Sequence, residues 1–250
     1  MNSYAQKFKF FLKALLDIIF PIECLGCGVA GQWLCKNCHA HIELRQNFCC
    51  PDCGLSSNFG SFCTTCQSRH SLSGILSAVD YHNNLVQQSI KIFKYRFVSS
   101  LGEELSFFLG QGIEKAQILC SARHEKYPQI FMNWCGVLLL PVPLHQKRRR
   151  WRGFNQAEIL AEAFLKIMPM DYDATSLRRI RYTKPQANLK REERLFNLKN
   201  SFIWQGGSLT NRRVILIDDV ATTGATLEEC ARALKAAGAC EIWGLVIAKG

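Results

Sequence analysis

The sequence predicts an α/β protein: a mainly parallel sheet with helices on both faces, preceded by a small cysteine-rich module. Three observations carry that expectation. Beyond residue 75, short β-favouring runs alternate with stretches of helical period, as in strands joined by covering helices. One run, Val214-Ile-Leu-Ile217, is apolar at every position, as a strand buried on both faces must be, and it leads into two carboxylates. Between residues 24 and 66, eight cysteines fall in four pairs of identical C-x-x-C spacing. With 250 residues and 48% apolar content the chain can bury a core, which excludes global disorder.

The first 22 residues read as an amphipathic helix, because Phe8, Phe11, Leu12, Leu15, Leu16 and Ile19 recur at helical spacing. Lys13 and Asp17 interrupt the apolar run, and no small-residue cleavage site precedes Glu23 and Cys24, so a secretory signal is not expected. A membrane span needs about 20 apolar residues in a row, and none is expected here. The expected compartment is the cytoplasm, where cysteines bind metal more readily than they form disulfides.

The cysteine module is expected over residues 23–70. Two residues between thiolates let a tight turn aim both sulfurs at one tetrahedral ion. Cys24, Cys27, Cys35, Cys38, Cys50, Cys53, Cys63 and Cys66 thus make two structural zinc sites of four thiolates each, with no open coordination position for catalysis. The spacing fits sequential and crossed pairing of the knuckles equally, and Cys49 stands in register to replace Cys50. Zinc substitutes for the core that so short a segment cannot build.

The α/β domain is expected over residues 75–250. Its strands are expected at 76–81, 137–141, 176–180, 214–218 and 242–248, and its helices at 85–95, 101–116, 156–168 and 226–237. The stretch from Cys120 to Trp134 has no clear period and reads as a loop. After the strand at 214–218, Asp218 and Asp219 emerge at its carboxyl end, where open α/β sheets bind ligands. The following Ala221-Thr222-Thr223-Gly224-Ala225-Thr226 offers hydroxyls and helix-start N–H groups to a phosphate, with a glycine where backbone must approach it. Carboxylates beside a phosphate socket repel the phosphate, so they must serve sugar hydroxyls or a Mg²⁺ that neutralises a second phosphate cluster. Phosphoribosyl pyrophosphate (PRPP) with Mg²⁺ has those parts. A Walker A motif, which a Walker B reading of this strand would require, is absent from the sequence.

This segment resembles the signature of type I phosphoribosyltransferases. The resemblance implies that Asp218 and Asp219 meet the ribose hydroxyls and that residues 221–226 hold the 5′-phosphate. It also places Val142, Pro143 and Leu144 beside the pyrophosphate, with Arg148, Arg149, Arg150 and Arg152 on the adjoining loop. The charge pattern agrees with a polyanionic ligand. Of a net charge of +11, residues 145–213 alone contribute +10, with 16 basic and 6 acidic side chains. Arginine forks suit pyrophosphate and a nucleic-acid backbone alike, and Trp151 and Phe154 add aromatic faces for single-strand stacking. Phe154 serves equally well as core packing.

The C-x-x-C knuckles, Pro141-Val-Pro-Leu144, Arg152-Gly-Phe-Asn-Gln156 and the Asp218–Thr226 motif together look like the ComF family. Thr183, Gln186, Leu189, Arg194 and Asn197 fall in a matching stretch, and Tyr81 and Lys94 match an early Tyr and Lys-Tyr pattern. The resemblance covers nearly the whole chain. It implies a role in natural competence, with single-stranded DNA and proteins of the competence machinery as partners. The alternative is a small-molecule phosphoribosyltransferase of unknown acceptor that releases pyrophosphate. Catalytic residues cannot be assigned, and glutamine amidotransfer is not expected, since Met1-Asn2-Ser3 offers no amino-terminal cysteine nucleophile.

Overall fold

The computed structural model describes residues 22–95, 99–124, 128–183 and 198–250. Except for Ile22, the segment expected as an amphipathic helix lies outside them, as do Gln186, Leu189, Arg194 and Asn197. The chain divides into two compact units, Met1–Ile42 and Glu43–Gly250. The first holds the first cysteine quartet, an isolated bridge between Glu23 and Ala30, and the short helix α1 (Lys36–Ala40).

The second unit begins with the second quartet and α2 (Thr64–Gln67). It continues through β1 (Gly74–Asp80), α3 (Asn84–Tyr95), α4 (Ser99–Ala122), β2 (Val137–Pro141), α5 (Gln146–Arg152), α6 (Gln156–Ile167) and β3 (Asp171–Tyr172). Then come β4 (Leu177–Arg179), β5 (Phe202–Trp204), β6 (Arg213–Ala221), α7 (Ala225–Ala236) and β7 (Glu241–Lys249). Five strands make one parallel sheet in the order β1-β7-β6-β2-β3. β6 is central because Val214 to Ile217 are fully buried and need cover on both faces. Alternation sends Val214 and Leu216 into the cluster that contains Leu227, Cys230 and Leu234 of α7. Ile215 and Ile217 take the opposite face, the side of α4 and α6.

Residues 43–75 are stitched to this sheet. Leu44 bridges to Val79 and Ser61 to Gly74, the Ile75 N–H donates to the Gly60 carbonyl at 2.9 Å, and Arg45 pairs with Asp80 at 3.1 Å.

Three expectations need correction. The stretch from Cys120 to Trp134 is not simply a loop. α4 runs on to Ala122, and a 3-10 turn at Gln129–Phe131 buries Ile130 and Phe131, whose ring lies 5.1 Å from Phe59 and 5.2 Å from Trp243. These partners lie far away in sequence, so no local period marks them. The run expected as a strand at 176–180 is β4, which pairs antiparallel with β5 in a separate two-stranded sheet. The fifth strand of the main sheet is the two-residue β3 at its edge, too short to leave a pattern.

Candidate functional site

Each cysteine quartet closes on itself. The sulfurs of Cys24, Cys27, Cys35 and Cys38 lie within 4.8 Å of one another, and so do those of Cys50, Cys53, Cys63 and Cys66. The pairing is therefore sequential, and Cys49 stands outside, bridging through its backbone to Ser56. The Cys27–Cys35 and Cys53–Cys63 sulfur separations are 3.6 and 3.7 Å. A tetrahedron of thiolates about 2.3 Å from zinc has edges of about 3.8 Å, whereas a disulfide would need about 2.05 Å. Backbone N–H groups favour the thiolate form. The Cys35 N–H donates to the Cys24 sulfur at 3.2 Å. Burial opposes ionisation of Cys24, but N–H groups from Cys35, Gly26 and Cys27 outweigh it and draw the thiol down to about 6; Cys50 is drawn to about 6 in the same way. These are two closed four-thiolate sites for structural zinc.

The acids lie within β6, which continues past them to Ala221, with Asp218 in register with Val246 of β7. Strand alternation turns the two carboxylates to opposite faces. Asp219 is buried, and the Lys94 ammonium at the end of α3 lies 2.9 Å from it. Burial by itself would lower the Lys94 pKa, but the charge of Asp219 and its contact with the ammonium outweigh that and hold it above the usual lysine value. Asp218 is half-buried and accepts the Asp219 N–H at 2.8 Å. Burial, then the neighbouring Asp219 charge, push Asp218 up to about 7 against the opposing pull of Lys94. Near neutral pH this carboxyl is divided between its two forms, so it can donate to or accept from a sugar hydroxyl.

After β6 the chain turns through Thr222 and Thr223 to Gly224, the N-cap of α7, whose φ of 74° is left-handed. A side chain there would be strained, and its Cβ would stand 2.8 Å from Ile75 Cδ1. α7 starts at Ala225, one residue earlier than expected. The Thr223 hydroxyl accepts the Ala225 N–H at 3.4 Å. A small depression is bounded by Asp218, Ala221, Thr222, Gly224, Ala225 and Thr226, so acid and loop residues share one wall. Hydroxyls, helix-start dipoles and a carboxyl converge there, an arrangement suited to a phosphorylated sugar.

The Lys/Arg run is helix α5 rather than a loop. The His145 ring caps its start by accepting the Lys147 N–H at 3.2 Å, and Gly153, at φ 81°, ends it by donating to the Arg149 carbonyl at 2.7 Å. The cations then divide. Arg149 is held bidentately by Glu158 at 2.7 and 2.9 Å, and Arg148 donates to the Thr183 carbonyl at 3.2 Å. Arg150 is exposed, and Trp151 is 73% exposed. Arg152 is half-buried, and its charge opposes that of Lys94. In the preceding segment the Val142 N–H is committed to the Ile217 carbonyl at 3.0 Å and Pro143 has none, so amide donors begin at Leu144.

The Arg-Gly-Phe-Asn-Gln stretch ties these parts together. The Asn155 side-chain amide donates to the Val142 carbonyl at 3.1 Å while its oxygen caps α6, and Gln156 donates to the Lys94 carbonyl at 3.4 Å. The Phe154 ring packs 6.4 Å from Phe93. Alongside α5 opens a polar cavity of about 560 Å³, walled by His145, Gln146, Thr175, Arg178, Arg179 and Gln205 among others. Arg179 lies over the Phe202 ring and donates to the Thr183 hydroxyl; burial, then Arg148, lower its pKa.

Sequence reasoning recognised Lys94 only as part of a pattern, not as the partner of Asp219, and it missed Arg179. Lys94 follows Val86 and Ile90 at intervals of four on the buried side of α3, and a lysine on such a stripe signals an anion opposite. Arg179 carries no comparable signal, since its strand lies outside the main sheet.

Among known families, the phosphoribosyl transferase domain matches residues 152–249 and the double zinc ribbon domain matches residues 15–67. Competence protein F of Haemophilus influenzae is 26% identical over 90% of this chain and 97% of its own length. DNA utilization protein YhgH of Escherichia coli (strain K12) is 28% identical over 86% of this chain and 91% of its own. Competence protein ComFC of Bacillus subtilis (strain 168) is 28% identical over 80% of this chain and 77% of its own.

Proposed function

The chain belongs to the ComF family, and from that premise we propose that it binds PRPP, as its Mg²⁺ complex, and acts on single-stranded DNA in the cytoplasm during natural competence. The names of its relatives, competence protein F, ComFC and DNA utilization protein, point the same way. One observation carries the PRPP reading: Asp218 shares one depression with Thr222, Gly224 and Thr226 at the start of α7. Asp218 takes the ribose hydroxyls. Asp219 is neutralised by Lys94, which limits repulsion of the phosphates. Residues 221–226 hold the 5′-phosphate, and pyrophosphate lies toward Leu144 and α5. Among the described residues no helix is long and apolar enough to cross a membrane.

The exposed Arg150 and Trp151, with Arg148 and the cavity lined by Arg178 and Arg179, form the surface for a single strand, where phosphates pair with cations and bases stack. Calorimetry with PRPP–Mg²⁺ against nucleotides tests the first half of this reading. PRPP binding that Asp218→Asn abolishes supports it, and a wild type that ignores PRPP sinks it. Single-strand affinity of the wild type and of Arg148/Arg149/Arg150→Ala at two salt concentrations tests the second. Equal, salt-insensitive affinities would count against strand binding.

A further inference from the structure

The second zinc ribbon reaches the phosphate loop through one buried carboxylate. Glu228 lies in the first turn of α7, and its N–H donates to the Gly224 carbonyl at 2.9 Å. An acid at a helix start ordinarily sits in solvent and serves the helix dipole. Glu228 instead is 6% exposed, and three of its partners come from the segment that follows the last zinc ligand. Its carboxylate accepts the Ser71 N–H at 2.7 Å and the Leu72 N–H at 3.5 Å, and the His70 ring nitrogen Nδ1 lies 3.4 Å away. The other ring nitrogen of His70 is 3.2 Å from Asp52, which stands inside the Cys50–Cys53 knuckle. Phe62, next to Cys63, stacks on the His70 ring with centroids 4.0 Å apart. Asp52, Phe62, His70, Thr223, Gly224 and Glu228 meet around one small cavity. A polar path thus runs from the knuckle through Asp52, His70 and Glu228 to Gly224.

We propose that the second ribbon is a strut for the phosphate loop, with Glu228 as a positioning residue, so that zinc at Cys50, Cys53, Cys63 and Cys66 and PRPP strengthen each other's binding. The proposal rests on the PRPP reading above. Without metal the knuckle loses its shape, Asp52 and His70 lose their places, and a buried carboxylate is left short of partners one turn from the phosphate. A shift of a few tenths of an ångström in that turn disturbs donors that must converge on one anion. The coupling is reciprocal: whatever factor zinc adds to PRPP affinity, PRPP adds to zinc affinity at this ribbon.

The experiment uses the full chain. PRPP–Mg²⁺ affinity is measured by calorimetry for the wild type, Glu228→Ala, Glu228→Gln and Glu229→Gln, the last because Glu229 takes the Asn200 N–H at 3.2 Å instead of the ribbon. Zinc affinity is measured by equilibrium competition with a chelating indicator, with and without saturating PRPP. The strut requires Glu228→Ala to weaken PRPP by about tenfold, with Glu228→Gln intermediate and Glu229→Gln near wild type. It also requires PRPP to tighten one of the two zinc equivalents in the wild type by a similar factor, and neither in Glu228→Ala. Should Glu228→Ala fail to fold, the zinc shift in the wild type and the Gln variant still decide. PRPP binding that is equal in all variants, or that shifts neither zinc, overturns the strut while leaving the PRPP reading intact. A wild type that does not bind PRPP overturns both.

Discussion

Replacing Asp218 with Asn is expected to make the chain more stable while removing its affinity for PRPP. The carboxyl is pushed from its ordinary 3.8 up to about 7, first by burial and then by Asp219. A carboxyl whose pKa is raised on folding is a stability cost at high pH: the native state holds its proton longer than the unfolded chain does. Stability contributed by the protonated form is whole below pH 4 and is lost as pH rises toward 7. Three pKa units at 1.36 kcal/mol each set an upper bound of about 4 kcal/mol. Partial exposure and the shared charge with Asp219 reduce this to about 2 kcal/mol at pH 8. Asparagine keeps the shape and drops the charge. For a chain of this size each kcal/mol moves the melting temperature by about 2–4 °C, so the variant should melt about 4–8 °C higher at pH 8. At pH 5.5 the gain should fall to about half. Thermal unfolding of both proteins at the two pH values, with calorimetry of PRPP at pH 8, measures both effects. A variant no more stable than wild type at pH 8, or a gain that does not change with pH, refutes the desolvation argument.

Cys50→Ser should lower zinc from two ions per chain to one, whereas Cys49→Ser should leave both, as elemental analysis of the purified variants will show. Lys94→Met leaves Asp219 buried without its cation and should cost about 2–3 kcal/mol in denaturant unfolding, somewhat under the figure for a fully buried pair because the lysine keeps some exposure. Adding Asp219→Asn to that variant should recover part of the loss. Gly224→Ala forces a side chain into a left-handed turn against Ile75; a stability cost of about 1–2 kcal/mol and about tenfold weaker PRPP binding are expected. Arg150→Gln should weaken single-strand binding more than Arg149→Gln, since Glu158 already holds Arg149.

The zinc ligands were legible because C-x-x-C spacing is local chemistry: two residues between thiolates dictate a knuckle whatever surrounds it. Which knuckles share a metal was not legible, and Cys49 and Cys50 could not be told apart, because both depend on how the turns fold back. The strand at β6 was legible from its unbroken apolar run, and the tight turn into α7 from the glycine that follows two threonines. By contrast, β3 has two residues and β5 three, too few for any period to register. The buried turn at Gln129–Phe131 owes its place to Phe59 and Trp243, each more than 70 positions away.

The sequence by itself determined the zinc chemistry, the acid pair, the glycine turn before α7 and the concentration of positive charge, because each resides in contiguous residues whose types constrain their own geometry. The tertiary structure decided how that charge is used. It gave Asp219 its Lys94, committed Arg149 to Glu158, folded the basic run into a helix, and set Glu228 under the second ribbon. Those pairings join residues 9 to 157 positions apart, and their energies depend on burial and distance, which no pattern along the chain encodes.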